Sequence, residues 1–275
     1  MNQNSTAMTA AAPKPRIRRA LALHAAALMA CTAALAQATS SAQAPSVTPY
    51  RPSVSTPAAL SAPGWLEIEA GMLRARGSGV ARLDSLPYTL KLAFTPDWGL
   101  RFGGDAWVRQ RDESGASLGG PGDSSIVLKR RFEVDEASAF GLEAGATLTT
   151  ARRGIGSGKS DFSLLGIYST DLGDYHADLN LGSTRIGAVD PGGGRTQTLW
   201  AASLSRSIDD RWGVAGEVSG TRQRGVEGSS QILFAASYNV SKSLTLDAGV
   251  ARSLRPGVAD RSFFAGLTVL GGRLF

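Results

Sequence analysis

His176, Asp178 and Asn180 alternate along one stretch, so on an extended strand they share a face. An imidazole beside a carboxylate and an amide is the equipment of a general base and its orienting groups. The same trio equally makes a polar network on a strand face. No serine can be assigned to His176 as a nucleophile, so a catalytic role and a structural one both stay open. Gly154-Ile155-Gly156-Ser157-Gly158-Lys159-Ser160 has the texture of a phosphate loop. The required spacing needs glycine at 153, where Arg153 stands, and a strand pattern follows where a helix should begin. Glycine in a long loop is the better reading. With one histidine and no cysteine beyond residue 38, a transition-metal site is not expected. No cofactor is expected either.

The polar face carrying His176 belongs to a repeated unit. In Ser160–Ser183, Phe162, Leu164, Gly166 and Tyr168 alternate toward one side. After a turn at 170–174, Tyr175, Ala177, Leu179 and Leu181 do the same. This is a β-hairpin with one apolar and one polar face. Twelve such stretches are expected, near 64–73, 85–95, 98–109, 123–133, 139–149, 160–169, 175–184, 197–206, 211–221, 230–239, 243–251 and 261–270. Each has about the nine to eleven residues that a tilted strand needs to cross a bilayer. The connections alternate. Short ones fall at 96–97, 134–138, 170–174, 207–210 and 240–242. Long ones fall at 73–84, 110–122, 150–159, 185–196, 222–229 and 252–260. Sorting of this kind is the layout of an outer-membrane barrel, with short periplasmic turns and longer outer loops.

Aromatic residues gather at the short-turn ends: Trp65, Phe94, Trp98, Phe132, Phe140, Tyr168, Tyr175, Trp212 and Tyr238. An aromatic ring is most stable at the membrane interface, so these are expected to form a girdle. Acids populate the short turns and arginines the long loops. The arginines suit phosphates of the outer leaflet, ordinary solvation, or the steering of anionic solutes. Arg130 has the outward parity of Leu128 and Phe132, which calls for snorkelling or a bulge. Leu165 and Ile167 have inward parity, so part of the interior wall is apolar. Gly271-Gly272-Arg273 is expected to interrupt the last strand before Phe275.

Residues 1–38 read as a cleaved export signal. A basic stretch (Lys14, Arg16, Arg18, Arg19) leads into an Ala/Leu-rich core and an Ala36-Gln37-Ala38 cleavage site. Cys31 reads as part of that core, with a faint lipoprotein-type box as the alternative. Four of the 29 basic residues and none of the 23 acidic ones lie in the signal. The remaining chain is therefore near neutral, and charge gives no support for nucleic-acid binding. Residues 39–63, rich in Ser, Ala and Pro, read as a flexible segment, and are also the one stretch that could serve as an inward plug. Residues 64–275 form the barrel.

Several stretches resemble the outer-membrane transporter family named for the MetA pathway of phenol degradation. They are Gly122-Asp123 leading to Lys129, Gly156-Ser157-Gly158 with Asp161, His176-Ala177-Asp178-Leu179-Asn180-Leu181-Gly182, Glu217 in mid-strand, and Asp247-Ala248-Gly249-Val250. The resemblance covers roughly residues 64–270. It implies a barrel and passage of small solutes, apolar or aromatic compounds among them. It brings no catalytic residues.

The expected fold class is therefore all-β: a single antiparallel up-and-down transmembrane barrel of about twelve strands in the outer membrane. The inward faces bear Glu67, Glu69, Lys91, Arg101 and Asp105. They also carry the residues expected to line the lumen: Asp123, Lys129, Arg131, Glu143, Asp161, His176, Asp178, Asn180, Glu217 and Asp247. A passive channel or transporter, without enzymatic activity, is the first reading. A lipid hydrolase using His176 and a surface-interaction barrel binding lipopolysaccharide through arginine-rich loops are the alternatives. The expected partners are outer-membrane lipids and lipopolysaccharide, a small-molecule solute and the barrel assembly machinery.

Overall fold

A computed structural model describes residues 44–77, 80–255 and 260–275. The expected export signal, with Cys31, lies outside the described residues. Twelve long strands make the wall. They are β1 (Trp65–Gly77), β2 (Val80–Ala93), β3 (Trp98–Arg111), β5 (Ser124–Glu133), β6 (Ser138–Leu148), β7 (Phe162–Leu172), β8 (Tyr175–Arg185), β9 (Thr196–Ser207), β10 (Trp212–Gln223), β11 (Val226–Ser241), β12 (Leu244–Ser253) and β13 (Arg261–Arg273). Each pairs antiparallel with its chain neighbours, and β1 pairs with β13, closing the barrel. A thirteenth strand, β4 (Ser117–Gly120), is an addition to the expected set. It pairs with the outer end of β3 within the loop before β5. Closure leaves no wall strand with an open edge, which is the condition for backbone to sit in lipid.

The period-two pattern dictates which side faces what. Along β8, Leu179 and Leu181 are exposed, whereas Asp178 and Asn180 are buried. The same inversion holds around the wall. Phe162, Leu164, Phe234, Val250 and Phe263 are exposed, while Glu67, Lys91, Lys129, Glu143 and Glu217 are buried. An apolar surface this extensive is a liability in water and a requirement in a bilayer. The chain is thus a membrane-spanning barrel of the outer-membrane type. The aromatic girdle is present at the short-turn end: Phe140 packs on Tyr168 at 5.0 Å and Trp212 on Tyr238 at 4.9 Å. Arg130 needs no bulge. Its guanidinium lies over the rings of Trp98 (5.0 Å) and Phe132 (4.6 Å), so aromatic faces cover an outward charge at the interface.

Two expectations about boundaries are corrected. The connections at 73–84 and 222–229 are not long loops. β1 and β2 are separated by two residues, and β10 and β11 by Arg224 and Gly225. Gly225 has φ +70°, a conformation that suits glycine, and it faces the Gly192 carbonyl too closely for a Cβ. The strands simply continue past the membrane, as alternation without a polar break allows. Gly271-Gly272-Arg273 interrupts the regular pairing of the last strand, as expected, but does not end it. β13 pairs with β1 as far as Trp65↔Arg273, through a register shift between Trp65 and Glu67.

Of residues 39–63, expected as a flexible segment with an inward plug as the alternative, 39–43 lie outside the described residues. Over residues 44–63 the chain is not a free tether but a re-entrant loop within the barrel. Val47 donates its N–H to the Lys242 carbonyl in a short turn, so the loop enters at the periplasmic end. It rises to Ser53–Ser55, held by Glu217 in mid-strand, and descends to Pro63, which bridges to Ala93. The Tyr50 hydroxyl donates to the Ala59 carbonyl at 2.5 Å and ties the two limbs together. Its bonds reach β1, β2, β5, β7, β8, β10 and β12. Twenty residues can touch strands on all sides of a closed barrel only from inside it.

Candidate functional site

The interior is built around that loop. Its backbone has no sheet partner for most of its length, and buried N–H and C=O groups must be satisfied. The inward side chains of the wall do this. Glu69 accepts from Tyr50 N–H (2.7 Å) and Glu67 from Thr48 N–H (2.9 Å). Glu217 Oε2 accepts from the N–H groups of Val54 and Ser55, both 2.9 Å, and from the hydroxyls of Ser53 and Ser55. Asn180 takes Thr56 N–H at 2.8 Å and returns a bond to the Thr56 carbonyl at 3.0 Å. Ala58 N–H donates to the Ser169 hydroxyl, which in turn donates to Asp178. Lys129 donates to the Pro57 carbonyl and to the Tyr50 hydroxyl. The inward apolar residues have their reason too: Ile167 and Leu165 pack on Ala58.

Charge is concentrated on one side. Lys91 is 2% exposed and lies 2.5 Å from Glu67 and 2.6 Å from Glu69. Arg101 pairs with Glu143 at 2.7 Å, and Lys129 lies 3.4 Å from the same carboxylate. The Tyr50 ring sits among these cations, 3.9 Å from Lys91 Nζ and 4.4 Å from Lys129 Nζ. Across the barrel the inward residues are small: Gly213 faces Ser237 and Ala215 faces Ala235. There Arg51 extends over Gly71 and Gly266, which oppose each other on β1 and β13, and reaches Asp247 at 3.2 Å. A Cβ at either glycine would overlap the guanidinium and a backbone carbonyl.

The ten expected lumen residues therefore divide. Lys129, Glu143, Asp178, Asn180, Glu217 and Asp247 are buried in the network that holds the loop. Asp123 and Asp161 do other work at the outer ends of their strands, accepting from Ala151 N–H and Gly187 N–H to brace the long loops. Arg131 pairs with Glu133 at the periplasmic rim. His176 is half-exposed, with Nδ1 2.6 Å from Asp171 and Nε2 3.2 Å from Asp178. Both ring nitrogens face carboxylates, which leaves neither one to activate a serine. Tyr50, Arg51, Ser53 and Ser55 are the site residues that strand periodicity could not find. One aromatic and one arginine in a Ser/Pro/Ala-rich stretch was the available signal.

Two cavities flank the loop. One, of about 900 Å³, opens at the periplasmic end and is lined by Val47, Arg51, His176, Arg211, Ala235 and Ser237 among others. The other, of about 600 Å³, lies toward the outer loops and has Val54, Leu73, Leu83, Ala251 and Phe264 in its wall. Both reach β11 and β12; the first extends toward β8–β10 and the second toward β13 and β1.

This barrel fold has counterparts among solved structures. The COG4313 outer membrane channel from Pseudomonas putida F1 superposes with a TM-score of 0.64, at 12% identity over 82% of this chain and 99% of that one. The chain has the fold of an outer-membrane channel. The NanC porin superposes with a TM-score of 0.53, at 10% identity over 73% of this chain and 98% of that one. No protein-family profile and no curated protein matches the chain. At such identities the likeness lies in backbone architecture. The lumen chemistry is this chain's own.

Proposed function

We propose that the protein is a passive outer-membrane channel for small solutes, apolar or aromatic compounds among them, whose conductance is restricted by its own re-entrant loop. The observation that carries this reading is the pair of cavities facing each other across Arg51–Val54. Arg51 and Pro52 border the first and Val54 the second, and Arg51 is held by its ion pair to Asp247. The outer cavity presents Leu73, Leu83 and Phe264, which suits a solute with an apolar body. The periplasmic one is more polar. A lipid hydrolase would need an imidazole nitrogen free to act on lipid, which His176 does not offer. We assign residues 1–38 to export and place the chain with the transporter family its short motifs resemble. We also take the last strand, β13, as a contact for the barrel assembly machinery.

Planar-bilayer recording tests the reading. The full-length protein is expected to give small steps. Arg51→Ala, which removes the side chain lying between the two cavities, is expected to raise them by about threefold. Absence of any conductance in both proteins and in a loop-deleted chain would end the channel reading.

A further inference from the structure

The outer wall carries a row of three arginines at its outer end, and the same residues border the outer cavity. Arg76, Arg261 and Arg252 stand on β1, β13 and β12 with outward parity. They are direct cross-strand neighbours, Arg76↔Arg261 and Arg261↔Arg252. All three are exposed. Nearby arginines are neutralised, Arg74 by Asp84 at 2.6 Å and Arg255 by Glu227. No ion pair to Arg76, Arg252 or Arg261 occurs among the described residues, which include every Asp and Glu of the chain. Like charges placed directly opposite in a sheet repel and destabilise it. Immediately below the row, on the membrane side, Phe263, Val250 and Phe234 are cross-strand neighbours and expose about half of their surface. Together with the arginines they line an open groove of about 540 Å³ on the lipid-facing wall.

We propose that this groove binds one phosphorylated glycolipid of the lipid A type from the outer leaflet. The row lies at the long-loop end of the strands, at the level where that leaflet places its phosphates. Guanidinium forks bind phosphate in bidentate fashion, and an anion seated across three of them relieves their repulsion. An acyl chain running down from the phosphate would cover Phe263, Val250 and Phe234. A free phosphate would leave them bare. The site rests on the orientation of the barrel in its membrane and is indifferent to whether the lumen conducts.

Native mass spectrometry of the detergent-purified full chain, titrated with bis-phosphorylated lipid A, provides the test. The triple variant Arg76→Ser, Arg252→Ser, Arg261→Ser is expected to bind at least about tenfold more weakly. Val250→Trp fills the groove with the charges intact and is expected to weaken binding as well. A control triple variant in other loops, Arg195→Ser, Arg222→Ser, Arg224→Ser, should bind as the parent does. Each variant is first checked for the fast gel migration of a folded, unheated barrel. Arg261→Ser adds a readout independent of affinity. Without lipid it should melt higher than the parent, and with lipid A it should gain less. The proposal is overturned if the first triple variant binds like the parent, or if the control triple loses as much. It is overturned equally if dephosphorylated lipid A or phosphatidylglycerol binds as tightly as lipid A.

Discussion

A chain in which Gly64 follows the export signal directly will form a barrel whose single-channel conductance exceeds that of the full-length protein by about tenfold or more. Twelve strands enclose more space than their own side chains fill, unlike the eight-strand barrels whose interiors are packed solid. Here the surplus is taken up by residues 44–63, with Tyr50 among the cations of β2, β3 and β5 and Ser53–Ser55 clasped by Glu217. Without the loop those wall groups meet water, which hydrates them at little cost. The wall itself keeps every strand-to-strand bond. Liposome swelling with sugars and small aromatic acids provides a second measurement. Equal conductance with and without residues 44–63 would mean that the wall side chains alone close the lumen, and would remove the loop from the mechanism.

The second large effect is expected from Lys91→Met, which should destabilise the barrel by about 3–5 kcal/mol. Lys91 is the only cation within ion-pair distance of Glu67 and Glu69 among the described residues, and all three side chains are almost wholly buried. Its removal leaves two carboxylates adjacent on β1 facing the same interior, each still holding an N–H of the loop. Breaking one member of a buried ion group costs far more than the group contributes when intact, because the remaining charge is stranded. Urea unfolding in micelles, followed by the loss of fast gel migration, measures the change. Lys91→Met combined with Glu69→Gln should recover part of it, since the second change removes one stranded charge and the two effects are coupled through direct contact. A double variant as unstable as the sum of the two single ones would show that packing of the lysine stem, rather than charge, is what matters.

Both expectations concern residues whose roles differ in how far they can be read from the chain. The sequence by itself determined the wall. Period-two alternation from Trp65 to Leu270 states which side of each strand meets lipid. The aromatic residues mark the interface, and twelve repeats of about ten residues set the barrel size. These features are local: each depends on neighbours two residues away, so they survive without knowledge of the rest of the molecule. The same logic placed Lys129, Glu143, Asn180, Glu217 and Asp247 inside. Parity gives a side and not a depth, and Asp123, Asp161 and Arg131 lie at strand ends where loops and rim take their bonds.

Only the tertiary structure decided what the interior holds. Residues 44–63 have no periodicity, and their composition is that of a linker. The wall side chains that hold them stand between 19 residues away, at Glu67, and 196 residues away, at Asp247. A segment satisfied by such distant side chains leaves no local trace. Its conformation is imposed by the polar wall that surrounds it, and that wall exists only once the barrel has closed. The row of Arg76, Arg261 and Arg252 has the same origin. Arg76 lies far from the other two in the chain, and the β1–β13 and β12–β13 registers bring all three side by side. His176, the residue with the most evident chemical promise in the sequence, is held between Asp171 and Asp178 at the mouth of the periplasmic cavity. The chemistry instead rests with residues the closed barrel assembled: a tyrosine among buried cations, a glutamate clasping the apex of a loop, and an arginine laid across two glycines.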